Sequence, residues 1–138
     1  VWKNDRMKTM LPALALAVAL TACDPQEAPD NGRVETDAIG VVDVNFPATA
    51  SASEPMIIAI RYSKTCNQSS EQIALTARTE TELRLNGTAR HAKLPPNLAC
   101  TPIYIEKTIE YIDPGTPART NPFEIIVNGR SWGTVEVK

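Results

Sequence analysis

Between residues 38 and 138, apolar and polar positions alternate at a period of two in short runs, and turn residues separate the runs roughly every 8 to 15 positions. Successive side chains of a strand point to opposite faces, so this pattern predicts half-buried β-strands rather than helices. In the clearest run, Ile103 to Ile112, Ile103, Ile105, Ile109 and Tyr111 share one face, and Tyr104, Glu106, Thr108 and Glu110 share the other. Lys107 alone breaks the apolar row, which predicts an edge strand or a bulge. Met56 to Tyr62 is apolar on both faces except at Arg61 and reads as a central strand. Ile39 to Phe46 sets Val42, Val44 and Phe46 against Val41, Asp43 and Asn45. Gln72 to Arg78 sets Ile73, Leu75 and Ala77 against Ala74, Thr76 and Arg78, and leads to Leu83 and Leu85. A helix from about 70 to 80 fits the same residues, and periodicity leaves both readings open.

Turn chemistry sharpens the C-terminus. Phe123 to Val127, then Asn128-Gly129, then Arg130 to Val137 predicts a hairpin, because Asn-Gly suits the type I′ turn. A two-residue loop places Trp132 opposite Ile125 as a core plug but turns Val135 and Val137 outward. One extra residue at Gly133 restores them, so a β-bulge is expected there. Asn86-Gly87 and the prolines between apolar runs read as further turns. The fold class that follows is all-β: a small antiparallel sandwich of about seven strands, immunoglobulin-like in general architecture.

Upstream the pattern changes. Lys3, Arg6 and Lys8 precede an apolar stretch from Met10 to Leu20, followed by small residues and a cysteine, the order of an export signal. As a helix the stretch spans roughly 16 Å, about half of the ~30 Å hydrocarbon core of a membrane. Leu20-Thr21-Ala22-Cys23 resembles the lipobox of bacterial lipoproteins. The resemblance covers about the first 23 residues. It implies cleavage after residue 22, acylation of Cys23 and a lipid anchor in the cell envelope, with the domain facing the periplasm. In some enteric bacteria an aspartate after the acylated cysteine favours the inner membrane, and Asp24 matches that.

Residues 23 to 37 then read as an acidic tether. Asp24, Glu27, Asp30, Glu35 and Asp37 outweigh Arg33, and no apolar periodicity offsets the entropy of ordering. This leaves residues 38 to 138 as a single domain with equal numbers of acids and bases. Nucleic-acid binding draws on many lysine and arginine contacts to phosphate, so the balance argues against such a partner.

With Cys23 assigned to lipid, Cys66 and Cys100 remain as a pair in a chain directed to an oxidising compartment, which predicts a disulfide tying strand ends. A redox pair would place two cysteines close together in Cys-x-x-Cys, and a zinc site would need more ligands than His91 supplies. No cofactor or metal is implied.

The residues do not form a recognisable catalytic motif. His91 is the one histidine, and no Gly-x-Ser-x-Gly or His-Glu-x-x-His pattern occurs. Glu106 and Glu110 would lie about 13 Å apart on one strand, too far for a glycosidase pair. Arg78, Arg84, Arg90 and Lys93, with His91, are the one basic concentration of the domain, and Tyr104 projects from an outward face; these residues are the candidate contact surface, against the reading that Glu80 and Glu82, interleaved with the arginines, make an ordinary charged surface. The expected function is a non-catalytic binding or adaptor module for an envelope protein or polymer. The alternatives are an inhibitor of a cell-wall hydrolase and an envelope enzyme. A flat apolar patch near Tyr104 would favour the adaptor, a protruding loop the inhibitor, and a pocket joining His91 to a serine or carboxylate the enzyme.

Overall fold

The computed structural model describes residues 33–100 and 104–138, and all its regular elements are strands: β1 (Val34–Ala38), β2 (Gly40–Asn45), β3 (Thr49–Ala50), β4 (Met56–Lys64), β5 (Gln68–Arg78), β6 (Glu82–Ala92), β7 (Ile105–Asp113), β8 (Phe123–Val127) and β9 (Arg130–Val137). The export-signal segment, Cys23, the tether as far as residue 32, and Ile103 lie outside the described residues.

Two sheets pack face to face, giving the expected immunoglobulin-like sandwich. The smaller runs β2-β4-β7; the larger runs β1-β6-β8-β9-β3, with β5 also paired to β6. Two pairings are parallel, β6 with β8 and β3 with β9, where sequence had suggested a wholly antiparallel arrangement. The core lies between the sheets: Ile58 and Ile60 from β4, Leu83 and Leu85 from β6, Phe123, Ile125 and Val127 from β8, and Val135 from β9 are essentially inaccessible. Burying each such side chain contributes about 1.5–3 kcal/mol.

β4 is central, as expected, but nothing described covers its outer face, so Ile57 is exposed while Met56, Ile58, Ile60 and Tyr62 are buried. β7 is the edge that Lys107 signalled. Between the two readings of residues 70 to 80 the structure selects strand, with β5 pairing along β6 through two register shifts.

Residues 34 to 37, assigned to the tether by their charge, instead form most of β1. Their backbone pairs with the upper half of β6, from Val34 opposite Ala92 to Ala38 opposite Thr88. All five side chains of β1 are exposed, so hydrogen bonding holds a strand that leaves no apolar signature.

Asn86-Gly87 is likewise not a turn; it lies in mid-β6. One edge of β6 is shared by β1 and the parallel β8, and Gly87 sits at the changeover. There Gly87 O accepts from Ile39 N (3.0 Å), Gly87 N donates to Asn128 Oδ1 (2.7 Å), and Asn128 Nδ2 donates to Ile39 O (3.2 Å). A β-carbon on Gly87 would lie 2.5 Å from Ile39 Cδ1, so the glycine serves close packing.

The C-terminal hairpin forms as expected, with left-handed Asn128 (φ 50°) and Gly129 (φ 76°). Its bulge falls one residue earlier than proposed: Ser131 pairs with Ile126 and Gly133 with Ile125, leaving Trp132 as the extra residue. Val135 returns to the core, while Trp132 is only partly buried at its margin, under the Arg130 guanidinium 4.3 Å from the ring centroid, rather than plugging it.

Candidate functional site

Strand direction gives the sandwich two unlike ends. β1 begins, β6 finishes and the β4–β5 turn closes at one of them, which the Cys66–Cys100 disulfide ties to the segment after β6 with 5.6 Å between Cα atoms. Lys93 N donates to Arg33 O there (2.9 Å), so the chain from the N-terminal segment enters at this end. The Ala92 backbone is clamped by Asn67, whose carbonyl accepts from Ala92 N (2.9 Å) and whose Nδ2 donates to Ala92 O (2.8 Å).

A shallow recess of about 370 Å³ opens beside this clamp, lined by Glu35, Asp37, Asn67, His91, Lys93 and neighbouring apolar groups. Glu35 and Asp37 are two apart on β1 and share a face; His91 is the cross-strand partner of Glu35, with Nδ1 3.7 Å from Asp37 Oδ2. The recess therefore joins the imidazole to carboxylates, but its lining holds no hydroxyl or thiol that could serve as a nucleophile. No group of three or more metal-binding side chains is gathered among the described residues.

The expected contact residues do not converge. On β6, Arg84 and Arg90 are exposed and share the outward row, about 20 Å apart, whereas His91 belongs to the opposite row and, with Lys93 just beyond the strand, borders the recess. Arg84 Nε donates to Glu82 Oε1 (2.8 Å), and this pairing raises the guanidinium pKa. Tyr104 is 70% exposed beside the other sheet; its hydroxyl donates to Glu106 Oε1 (2.8 Å), which raises its pKa.

Arg78 is not part of a surface basic patch. Its side chain is buried and reaches from β5 to Asp113 at the end of β7: Nε to Oδ1 is 2.8 Å and Nη2 to Oδ2 is 3.0 Å. Arg119 closes on the same carboxylate, with Nη2 2.6 Å from Oδ2, and its Nη1 donates to Ser51 O (2.7 Å) and Glu54 O (2.8 Å). Arg78 also donates to Thr79 O, and both guanidinium groups lie over the Phe123 ring, 4.7 and 5.7 Å from its centroid. The donors are occupied, so the triad fastens the loops at the end opposite the disulfide: Arg119 N binds Ala52 O (2.7 Å) and Thr120 N binds Glu80 O (2.8 Å). Sequence reasoning missed Asp113 and Arg119, since residues paired across elements carry no local spacing.

At that same end, the exposed apolar surface is the cross-strand pair Ile57 and Ile112, 51% and 59% accessible. Ile112 is on the strand that Tyr104 precedes but about 26 Å along it from Tyr104. No family model, curated protein or solved structure matches this chain.

Proposed function

We propose that the protein is a lipid-anchored lipoprotein of the bacterial cell envelope whose β domain acts as a non-catalytic binding or adaptor module for a periplasmic protein or polymer. The observation that carries this reading is the placement of Arg33 against Lys93 at the disulfide end of the sandwich. A lipid on Cys23 draws that end toward the membrane and presents the opposite loop cluster outward. Confinement at a surface raises the effective concentration of a weak binding face, so a modest contact area suffices.

One observation favours a second reading. The recess joining His91 to Asp37 gives an envelope enzyme a carboxylate–imidazole pair able to orient a water molecule. The inhibitor reading gains less: the segment from 114 to 122, at the far end, is bound down through Arg119 and Thr120 rather than protruding.

Chemical cross-linking and capture from intact cells tests the adaptor reading, with the native chain run beside Cys23→Ala. A reproducible envelope partner captured only by the native chain is expected. Equal capture by both forms, or no partner with hydrolytic activity that disappears in His91→Ala, overturns it.

A further inference from the structure

From Ala92, which ends β6 in one sheet, the chain crosses the disulfide end of the sandwich to Ile105, which begins β7 in the other. Leu98, Tyr104 and Ile105 on this crossing are exposed, and exposed Val34, opposite Ala92, flanks them. Pairing fixes Ile105 at the same end, opposite Lys64 and so beside the turn that holds Cys66. Ile105 does not continue the core, because exposed Lys107 stands between it and Ile109 on the inward row of β7. Charge at this end is uneven. Each carboxylate described there faces a base: Glu35 faces Arg33 (3.7 Å), Asp37 faces His91 (3.7 Å), Glu71 faces Lys64 (2.7 Å) and Glu106 faces Arg61 (3.3 Å). Arg90 and Lys107 are exposed and form no ion pair among the described residues, so positive charge is left over.

The place where the N-terminal segment joins the domain decides what covers this surface. Arg33 lies ten positions after Cys23, and its carbonyl accepts from Lys93 N at this end. With residues 34 to 37 taken up in β1, the connection reaches at most about 35 Å, roughly the length of β6. A lipid on Cys23 therefore keeps this end within one strand length of the bilayer, and a second protein would have to fit between the two. The chemistry suits a lipid interface: tyrosine rings sit at headgroup level, aliphatic side chains enter the acyl boundary, and basic side chains are drawn to anionic headgroups.

We propose that the disulfide end is a membrane-docking face: Leu98, Tyr104 and Ile105 enter the interface of the phospholipid bilayer that holds Cys23, with Arg90 and Lys107 toward its phosphates. The inference rests on the lipoprotein reading for the anchor and goes beyond it, since a tether alone leaves the domain free to turn. Docking fixes its orientation and points Ile57 and Ile112 away from the lipid.

The acylated chain is reconstituted in vesicles of phosphatidylethanolamine and phosphatidylglycerol whose acyl chains are brominated near the headgroup, carrying Leu98→Trp or, separately, Ile57→Trp in a Trp132→Phe background. Flotation with the vesicles reports the anchor, and quenching of tryptophan fluorescence by bromine reports docking. Both variants are expected to float, with quenching at least threefold stronger at position 98 than at position 57. Ile105→Ser combined with Lys107→Glu, both at exposed positions, is expected to cut the quenching at position 98 at least twofold with the thermal midpoint retained. Equal quenching at the two positions, or quenching at 98 that the double substitution leaves unchanged, overturns the proposal and leaves the anchor standing, because a tethered domain that only brushes the lipid behaves so. A chain that does not float overturns the anchor and the docking together.

Discussion

Asp113 and Arg119, six residues apart, form an ion pair with both side chains wholly buried, Nη2 lying 2.6 Å from Oδ2. Arg78 completes a triad that joins β5, β7 and two loops. Removing one member of a buried pair leaves an uncompensated charge and costs about 3–5 kcal/mol. Asp113→Ala strands two guanidinium groups and is expected to lie at the upper end of that range in urea denaturation, whereas exposed Arg90→Ala should change stability by less than about 0.5 kcal/mol.

Gly87 carries a steric requirement that Gly129 does not. Alanine at 87 meets the Ile39 side chain and is expected to cost about 1–3 kcal/mol, the usual penalty of overpacking. Alanine at 129 has open space and bears only the left-handed backbone, a cost of about 1–2 kcal/mol. If overlap is the cause, shortening Ile39 to valine in the Gly87→Ala background recovers part of the loss, and a double-mutant cycle in denaturant measures the coupling.

The disulfide joins cysteines 34 positions apart, for which chain entropy predicts roughly 3.5–4 kcal/mol of stabilisation. Cys66→Ser and Cys100→Ser should each lose about that much under oxidising conditions, and added reductant should then change neither variant. Thermal midpoints that match the native chain would count against the bridge.

All three tyrosines are expected to ionise above the ordinary value of about 10. Burial leads for Tyr62 and Tyr111, aided by the charges of Glu71 and Asp113 respectively; for Tyr104 the hydrogen bond to Glu106 leads. A group whose pKa is raised on folding contributes stability that is complete below its unfolded value and disappears as pH rises through its folded value. Stability should therefore fall as pH climbs beyond 10. Absorbance titration of Glu106→Gln should move one tyrosine, Tyr104, back toward the ordinary midpoint.

The legible parts of the sequence were those where local chemistry and core packing agree. Asn128-Gly129 between two alternating runs gave the hairpin, and the need to return Val135 to the core anticipated its bulge to within one residue. Lys107 on an otherwise apolar row marked the edge strand. β1 was hidden because every side chain on it faces solvent, and Asn86-Gly87 misled because its glycine serves the close approach of Ile39, not a turn. The expected contact surface was harder to read. Arg78 leaves the basic cluster for Asp113, a partner 35 residues away, and Arg84 and His91 fall on opposite rows of one strand.

The central claim, an anchored module that works by holding a protein partner, is tested most directly by light-induced cross-linking in living cells. A photoreactive residue replaces Ile57 at the outward end or, separately, His91 in the recess, with Cys23 intact. The account predicts a discrete protein adduct from position 57 that disappears in the Cys23→Ala background. No protein adduct from position 57, with a small-molecule adduct from position 91, would contradict it and shift the function to the recess.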